Sequence, residues 1–432
     1  MSKKVCLISL GCAKNLVDSE NMLGLLDYDK FEIVNDVDNA DLVIVNTCGF
    51  IEPSKKESLD TIFSVLEKNK KVVVTGCLAQ RYYDDLKKLI PEVSLFIPIR
   101  KYDEFNKLLE KVVNEPLPDK EGLRDSLRIL STPKYSAYLK IGEGCDNRCT
   151  YCAIPLIRGG FVSRPYDEII KEAKHLASNG VREIIVLEQD TTKYGIDLND
   201  GHDIVSLLKG LLEIKGLDYI RLLYLYPDEI SDELIDLIAK EKKLTSYFDI
   251  PIQHSESHVL KDMNRRGDRE FLLELFKKIR KKVPNAVLRT TIMVGFPGET
   301  EQDIDRLLDF MNEVEFDHVG AFTFSKEEGT RAFDFENQID EEIKKSRLSK
   351  VMREARKISY KKNKSHINEI MEGLVVGKNG DDYLLRSYWN APDDVDGKII
   401  FSSDKVLEIG TIVKVKITNA YVYDLVGELV DE

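Results

Sequence analysis

The sequence lacks any run of about 18 consecutive apolar residues, which is the length that a membrane-spanning helix needs. It also lacks a secretory signal pattern, because Gly11, Cys12 and Lys14 interrupt the short apolar stretch near its start. From these two absences we expect a cytoplasmic protein with no membrane partner.

The chain has fewer positively charged residues than negatively charged ones. The 432 residues include 63 Lys and Arg against 76 Asp and Glu, which gives a formal net charge of −13. Binding to phosphates needs clustered Lys and Arg, so no specific nucleic-acid partner is expected. Hydrophobic residues make up 43% of the chain, which excludes wholesale disorder and leaves apolar material for roughly two to four domains.

Cysteine is absent after residue 152, although the chain has seven cysteines in all. An odd count does not fit a disulfide framework, and the cytosol keeps thiols reduced. The clustering therefore indicates metal ligands or redox chemistry. The cysteines are Cys6, Cys12, Cys48, Cys77, Cys145, Cys149 and Cys152.

The start of the chain alternates strand and helix patterns. Apolar runs rich in β-branched residues are typical of buried parallel strands, and an amphipathic pattern over residues 54–68 predicts a helix between two of them. This alternation predicts a flavodoxin-like α/β domain. The strand patterns lie at residues 4–10, 31–34, 41–46, 71–75 and 95–99.

The alternation restarts after a polar linker and predicts a second domain. Six βα units in about 200 residues fit a partial (β/α)6 barrel, open on one side, better than a closed eight-fold barrel. A long charged helix is predicted over residues 341–364. The six strand patterns lie at residues 138–142, 183–190, 219–226, 247–253, 287–295 and 318–325.

The end of the chain changes character. Five short strand patterns with Gly-containing turns predict a small all-β domain of OB-like type. From Met371 to Glu432 there are 12 acidic and 6 basic residues, a net charge of −6, which is the opposite sign to that of an RNA-binding barrel. We place the domains at residues 1–118, 131–361 and 362–432, with a linker over residues 119–130.

One compact motif carries the strongest chemical signal. Cys145, Cys149 and Cys152 have a CxxxCxxC spacing directly after the first strand pattern of the second domain. Three thiolates on one loop can each bind one iron of a cubane 4Fe–4S cluster, which leaves the fourth iron open to an external ligand. A tetrahedral zinc site would need a fourth ligand, and no histidine follows at the usual spacing.

This motif, with Tyr151 before its last cysteine, resembles that of the radical S-adenosylmethionine enzymes. The resemblance implies that S-adenosylmethionine binds the open iron and that one electron splits it to give a 5′-deoxyadenosyl radical. It also implies cofactor contacts at Tyr151, Gln189, Gly295 and Pro297. The last two belong to a GFPGE sequence, in which Gly and Pro let the backbone come close to the adenine.

A second set of cysteines is spread along the first domain. Cys12, Cys48 and Cys77 each lie one to two residues beyond a strand pattern, and each has a glycine beside it. The carboxyl ends of parallel strands form sites at one edge of a sheet, so three strands deliver one thiol each to that edge. Any one of these cysteines alone could be core packing, and Cys6, which lies inside a strand pattern, is assigned to the core.

Three N-terminal cysteines, a CxxxCxxC barrel and a small terminal β-domain together cover nearly the whole chain and are similar to the methylthiotransferases. The resemblance identifies the terminal domain as a TRAM module. Local sequences favour the RimO branch, whose members modify an aspartate of a small-subunit ribosomal protein. These sequences lie at residues 10–15, 189–192, 194–195, 251–254 and 325–330.

The resemblance implies two 4Fe–4S clusters, one on each cysteine set, with S-adenosylmethionine as the other cofactor. One S-adenosylmethionine methylates sulfur on the N-terminal cluster. The radical from another removes a hydrogen from the β-carbon of the aspartate, which then takes up the methylthio group. No catalytic residue beyond the cluster ligands is assigned. An external electron donor and a ribosomal protein with a basic surface are the expected partners, and the acidic terminal domain suits the latter.

Two other functions stay open at this point. A MiaB-like enzyme would use the same chemistry on an adenosine of tRNA, although that branch typically has Gln-Asn after the second barrel strand and a basic residue before Gly-Thr. A non-catalytic iron–sulfur sensor would bind clusters without cleaving S-adenosylmethionine.

Four further residues allow both a functional and a structural interpretation. His254 is a candidate for the substrate pocket, and its spacing of four residues to His258 would suit a metal only if both lay on a helix. Glu327 and Glu328 could sense the charge of the substrate, or they could be ordinary exposed charges beside a turn.

Three other features are open in the same way. Asn15 could face the cavity next to Cys12, or it could lie in a solvated loop. The acidic loop at residues 393–396 is a candidate docking surface on account of the charge of its domain alone. Trp389, the single tryptophan, is expected in the core of the terminal barrel.

Overall fold

The structure is a computed structural model that describes residues 2–26, 29–117, 128–392 and 395–430. Within these ranges the chain forms two units. Unit 1 draws on residues 1–133, 138–162 and 325–333, and unit 2 draws on residues 134–137, 163–324 and 334–432. Most of the predicted linker, residues 119–127, lies outside the described residues, and the predicted domain boundaries stay a prediction.

Unit 1 is built on a five-stranded parallel sheet. Its strand order is β2-β1-β3-β4-β5, which is the order of flavodoxin-like folds and confirms the predicted class of this part of the chain. The strands are β1 (Lys3–Ser9), β2 (Phe31–Ile33), β3 (Leu42–Thr47), β4 (Lys71–Thr75) and β5 (Leu95–Pro98).

Helices cover both faces of this sheet, because its central strands are apolar on both sides. In β3, Leu42 and Ile44 belong to one core cluster, whereas Val43 and Val45 belong to the other. Side chains of α1 and α5 fill the first cluster, and those of α2, α3 and α4 fill the second. The helices are α1 (Ala13–Leu25), α2 (Glu52–Glu67), α3 (Gly76–Arg81), α4 (Tyr83–Leu89) and α5 (Phe105–Val113).

The chain then passes through a short segment of small elements. Strand β6 begins in unit 2 and ends in unit 1, and the loop that follows it carries the CxxxCxxC motif within unit 1. These elements are β6 (Ser136–Lys140), β7 (Gly142–Glu143), α6 (Ile154–Arg158) and β8 (Val162–Ser163).

Unit 2 contains the parallel strands of a partial barrel. They form two three-stranded sheets with the orders β10-β9-β6 and β11-β12-β13. The first sheet starts where the carbonyl of Tyr135 accepts the N–H of Glu183 at 2.9 Å, and the two sheets meet where the N–H of Thr245 donates to the carbonyl of Ile220 at 2.9 Å. The strands are β9 (Glu183–Leu187), β10 (Tyr219–Leu222), β11 (Tyr247–Asp249), β12 (Val287–Val294) and β13 (His318–Thr323).

Two barrel strands are each four residues shorter than predicted. Strand β10 ends at Leu222, because Tyr224 has a φ of +61°, which no strand residue adopts. Strand β11 ends at Asp249, because Pro251 has no N–H to donate and Gln253 has a φ of +70°. Left-handed backbone at non-glycine residues is strained, and here it turns the chain sharply at the carboxyl ends of two strands.

Amphipathic helices cover the barrel strands. Helix α13 has 25 residues, matches the predicted long helix and packs Val351, Ala355 and Ile358 against strand β12 and helix α12. None of the helices in the described ranges has the length and apolar character that a membrane span requires. The helices that cover the barrel strands are α7 (Tyr166–Ser178), α8 (Ile204–Leu212), α9 (Asp232–Lys240), α10 (Ser257–Asp262), α11 (Arg269–Lys282), α12 (Glu301–Val314) and α13 (Glu341–Ser365).

The end of the chain forms a closed five-stranded barrel in the order β14-β15-β16-β18-β17. All pairs are antiparallel except β16 with β18. Trp389 and Phe401 are fully buried; the ring of Trp389 lies 4.8 Å from that of His318 on β13, so its expected burial is confirmed and its place inside the terminal barrel stays a prediction. The strands are β14 (Ile370–Asn379), β15 (Asp382–Ser387), β16 (Ile399–Ser402), β17 (Ile412–Ala420) and β18 (Leu425–Leu429).

We expect Phe401→Ala to destabilise this barrel by about 3–5 kcal/mol, because it leaves a cavity beside Tyr383, whose ring centroid lies 5.7 Å away. Trp389 is the only tryptophan, and its fluorescence during urea unfolding reports the loss of packing between this end of the chain and His318 of β13. Val406→Ala is the control, since Val406 is 92% exposed and its removal should change stability by no more than about 0.5 kcal/mol. Equal midpoints for the two variants would contradict the assignment of Phe401 to the core.

Candidate functional site

The structure places the three N-terminal cysteines at the ends of neighbouring strands. Cys12 is the residue before helix α1, directly beyond β1, and Cys48 follows the last residue of β3. Cys77 is the second residue of α3, which begins where β4 ends. Because β1, β3 and β4 are adjacent in the sheet, the three thiols lie along one edge of unit 1, as predicted.

The glycines beside these cysteines let the loops come together. A Cβ atom on Gly11, whose φ is +88°, would lie 2.8 Å from Cβ and 3.0 Å from Sγ of Cys48. A Cβ on Gly49 would lie 2.9 Å from the backbone of Cys77. Each of these glycines therefore leaves the room that the next cysteine occupies, which a larger residue would close.

The surrounding protein shifts the pKa values of the three thiols in different directions. Cys12 is exposed; desolvation by the surrounding protein alone would raise its pKa, but Lys14, Arg158 and backbone N–H groups together lower it below the ordinary value. Burial raises the pKa of Cys48, and it raises that of Cys77 to about 11. Cys12 and Cys48 both repel a thiolate on Cys77, so the three sulfurs are electrostatically coupled.

The CxxxCxxC cysteines lie in a tightly folded loop of the same unit. The N–H of Cys152 donates to the carbonyl of Cys149 at 3.0 Å, and the N–H of Cys145 donates to the carbonyl of Gly159 at 3.2 Å, which closes the loop on itself. All three cysteines are partly exposed, and Tyr151 in the same loop is half-buried. The loop thus presents three accessible thiols.

The two cysteine sets are adjacent within unit 1. Ala153, the residue after Cys152, packs with Ile157 against Cys77 in one small apolar cluster. The helix that follows the CxxxCxxC loop therefore rests directly on the third N-terminal cysteine. Within the described ranges, no three His, Cys, Asp or Glu side chains have the geometry of a site for a single metal ion. Soft thiolates in two sets of three are the donors that iron–sulfur clusters use.

Sequence patterns missed a group of buried charges beside these cysteines. Arg158, on helix α6, contacts Asn15 and Asp18 of α1 as well as Glu143, and Lys140 contacts Asp18 and Glu143. Asn15 is fully buried, so its interpretation as part of a solvated loop is wrong. The one available signal was the polar sequence of α1 directly after Cys12.

The remaining predicted cofactor contacts lie in unit 2, at the carboxyl ends of barrel strands. Gln189 is the second residue after β9, and Gly295 and Pro297 follow β12. Gly295 has a φ of +75°, and a Cβ there would lie 2.3 Å from the side chain of Lys344 on α13. Packing against α13 therefore already requires glycine at this position, and its contact with S-adenosylmethionine stays a prediction.

His254 is fully buried next to this turn. Its Nδ1 accepts the N–H of Glu256 at 3.0 Å, and its Nε2 lies 3.6 Å from the carboxylate of Glu299. Burial lowers the pKa of the imidazole to about 3, so the ring is neutral. His258 is exposed on α10, a helix that does not include His254, and the two do not form the i, i+4 pair of a helical metal site.

Glu327 is neither an exposed charge nor a free charge sensor. Its carboxylate is 2% exposed and accepts hydrogen bonds from Arg81 at 2.8 Å, Lys55 at 3.1 Å and the hydroxyl of Ser325 at 2.7 Å. Both interpretations of this residue are therefore wrong, and its role is to fix residues 325–333 within unit 1. Glu328 is exposed, as the second interpretation expected.

The predicted acidic docking loop is only partly described. Asp393 and Asp394 lie outside the described residues. Asp396 is buried in unit 2, where it accepts hydrogen bonds from the hydroxyl of Tyr247 at 2.7 Å and from the N–H of Ala391 at 2.8 Å. Asp396 is therefore a structural residue and does not form part of a docking surface.

Comparison with known proteins gives three family matches. The model described as the Radical SAM superfamily matches residues 139–311, the one described as Uncharacterized protein family UPF0004 matches residues 4–98, and the one described as TRAM domain matches residues 367–430. Among solved structures, the radical S-adenosylmethionine methyltransferase TsrM from Kitasatospora setae is similar with a TM-score of 0.55 and 15% identity, covering 75% of each chain. At this identity the likeness shows the fold alone.

Curated proteins align along the whole chain. One from Acetivibrio thermocellus is 46% identical over 451 residues, which cover 100% of this chain and 99% of that protein. One from Clostridium tetani is 44% identical over 439 residues, which cover 99% and 98%. Both are named ribosomal protein uS12 methylthiotransferase RimO.

The fold and the match over residues 139–311 define a radical S-adenosylmethionine enzyme. Because the alignments with these relatives span its full length, the chain belongs to the RimO family of methylthiotransferases. The predicted family and its cofactors, S-adenosylmethionine and 4Fe–4S clusters, are confirmed, and the tRNA-modifying branch is not favoured.

We expect Glu327→Gln to lower the free energy of unfolding by about 3–5 kcal/mol at neutral pH, because it leaves the buried guanidinium of Arg81 without its carboxylate, whereas Lys55 keeps its ion pair with Glu52. Although burial alone would raise the pKa of Glu327, hydrogen bonds from Ser325, Lys55 and Arg81 lower it below the ordinary value. The stabilisation is therefore complete above about pH 4.5 and is lost as the pH falls through the lowered pKa.

Urea unfolding between about pH 7 and pH 3 measures this difference. The control is Glu328→Gln, an identical change at an exposed neighbour, which should alter stability by no more than about 0.5 kcal/mol. A gap between the two variants that did not narrow in acid would contradict the ionised state of Glu327.

Proposed function

We propose that this chain is a methylthiotransferase that acts on ribosomal protein uS12 and replaces a hydrogen on the β-carbon of an aspartate by a methylthio group. The observation that carries the proposal is the contact of Ala153 and Ile157 with Cys77, since it brings two sets of three thiols together in one unit. The names of the full-length relatives, which say that those proteins act on uS12, support the choice of substrate.

The proposed ligands divide between the two sets. Cys145, Cys149 and Cys152 would hold the 4Fe–4S cluster that binds S-adenosylmethionine, and the N-terminal cysteines would hold the second cluster. Each set has three thiolates, which leaves one iron of a cubane open. When bound, the first cluster would pass one electron to S-adenosylmethionine to give a carbon-centred radical, and the second would supply or hold the sulfur that is transferred.

The second set consists of Cys12, Cys48 and Cys77. Their adjacent positions on β1, β3 and β4 and the space left by Gly11 and Gly49 fit a shared ligand at this edge. The lowered pKa of Cys12 favours the thiolate, which is the form that binds iron. The protein would thus receive the cluster on thiols that its sheet already holds together.

Four residues are proposed to contact S-adenosylmethionine. Tyr151 lies within the CxxxCxxC loop, where an aromatic ring could cover the bound molecule. The other three, Gln189, Gly295 and Pro297, follow barrel strands at their carboxyl ends, which is where ligands bind in parallel (β/α) folds. Their side chains and backbone would orient the molecule and would not themselves transfer protons.

Charge supports a basic protein substrate. The last 62 residues, from Met371, carry a net charge of −6, and electrostatic complementarity favours docking of a basic partner on an acidic surface. A ribosomal substrate would place the reaction in the cytoplasm, where ribosomes are assembled. The reductive step requires one electron from an external donor.

We expect replacement of Cys12, Cys48 and Cys77 together by Ala to halve the iron content, because one of two clusters is lost. Reductive cleavage of S-adenosylmethionine should persist, since the CxxxCxxC loop is intact, whereas methylthiolation should stop. Iron and sulfide analysis of anaerobically prepared protein, with product analysis by mass spectrometry, measures all three quantities.

Cys6→Ala is the matched control, because Cys6 is a core thiol of the same domain that is only 3% exposed. It should keep the full iron content and the full activity. If the triple variant retained as much iron as Cys6→Ala, the second cluster would not be on these residues.

The substrate is tested by incubating the reduced enzyme and S-adenosylmethionine with purified uS12 or, in parallel, with unmodified tRNA. We expect uS12 alone to gain the mass of one methylthio group in place of one hydrogen, and fragmentation should assign it to an aspartate. Modification of tRNA and not of uS12 would favour the MiaB-like alternative. Cluster binding without cleavage of S-adenosylmethionine would favour a sensor.

A further inference from the structure

Arg158 occupies an unusual position between the two cysteine sets. It is the last residue of helix α6, six residues after Cys152, and its side chain is 1% exposed. The same helix packs on Cys77 through Ile157. A buried guanidinium needs compensating partners, so its contacts define the role it can have.

The guanidinium uses two nitrogens for different neighbours. Nη1 donates to both carboxylate oxygens of Glu143 at 2.8 Å. Nη2 donates to Oδ1 of Asn15 at 2.5 Å and to Asp18 at 3.1 Å, and it lies 3.6 Å from Sγ of Cys77. Because Nη2 has two N–H groups for these three acceptors, the sulfur of Cys77 shares a donor with Asn15 or Asp18.

Asn15 makes this contact directional. Its Nδ2 donates to the carbonyls of Leu10 and Thr47, both at 2.9 Å, which fixes the side-chain oxygen toward Arg158 and Cys77. That oxygen, 3.5 Å from the sulfur, can accept a proton from a thiol but can donate nothing to a thiolate. A sulfur that ligates iron carries no proton, so of these two side chains it is Arg158 that can donate to it.

The charges around the guanidinium balance without the sulfur. Arg158 and Lys140 supply two positive charges, and Asp18 and Glu143 supply two negative ones. A thiolate on Cys77 adds negative charge to this group. The guanidinium is the positive group close enough to offset that charge directly, since its Nη2 lies 3.6 Å from Sγ.

We infer that Arg158 is a positioning residue that links the two cysteine sets and raises the reduction potential of the cluster on Cys12, Cys48 and Cys77. This inference rests on the proposed function, because it requires a cluster on those residues. Hydrogen bonds to ligand sulfurs and nearby positive charge favour the reduced, more negative cluster. The residue comes from the helix that follows the loop of one cluster and acts on the other cluster, so the position of that helix affects both.

The test isolates the N-terminal cluster by replacing Cys145, Cys149 and Cys152 with Ala. The cluster is then titrated with dithionite and followed by electron paramagnetic resonance. Arg158→Lys keeps the charge but loses the forked donor, because one ammonium cannot reach Glu143, Asp18 and the sulfur together. We expect the ratio of reduced to oxidised cluster at a fixed potential to fall about tenfold, a shift of about 59 mV for a one-electron couple.

A second variant should shift the reduction potential of the cluster in the opposite direction. Glu143→Gln removes a carboxylate that shares the guanidinium, so the guanidinium is less neutralised and the potential should rise. This variant also decides the question if Arg158→Lys does not assemble a cluster. Arg128→Lys is the matched control, since Arg128 is another buried arginine paired with a carboxylate of α1, Glu20, and should leave the potential unchanged.

The outcomes separate the two claims. The parent chain is the variant that lacks only the three CxxxCxxC cysteines. If its cluster has the same reduction potential as the clusters of Arg158→Lys and Glu143→Gln, the role of Arg158 is overturned and the proposed function stays in place. A parent chain that binds no iron after loss of the CxxxCxxC cysteines would overturn the second cluster itself.

Discussion

Buried polar groups on helix α1 constrain the whole of unit 1. Asp18 and Glu20 face inward, and an unpaired carboxylate inside a protein costs several kcal/mol. Their partners, Arg158, Lys140 and Arg128, come from a segment more than 100 residues later in the sequence. The sheet domain can bury this face of α1 only when that later segment is in place, so its fold and the position of the cysteine loop depend on each other.

This dependence has a chemical consequence. The ion pairs hold helix α6 against the edge of the sheet, where Ala153 and Ile157 meet Cys77. A reaction that joins a carbon radical to a sulfur on a second cluster needs both groups at one place, because positioning supplies much of the selectivity. In this protein, the charges that stabilise the unit also bring the two sets of thiols together.

Sequence patterns predicted the elements that bury apolar residues and missed those that bury polar ones. The flavodoxin-like strand order, the barrel strands and helix α13 all follow from apolar periodicity. Helix α1 belongs to the predicted alternation of strands and helices, but no bounds were predicted for it, because Asn15, Asp18 and Glu20 have the composition of an exposed loop until their partners are known. Glu327 was misassigned for the same reason, since Arg81, which binds it, lies 246 residues away.

Glycine near a site poses a related problem of interpretation. Gly295 was attributed to close approach of a ligand, yet the structure shows that the side chain of Lys344 occupies the place of its Cβ. Gly11 leaves room for the side chain of Cys48, and Gly49 leaves room for the backbone of Cys77 and Leu78. A glycine in a sequence indicates that something approaches the backbone closely, and only the fold identifies which atom that is. For the cysteine edge that neighbour is another proposed ligand, whereas for the GFPGE turn it is a packed helix.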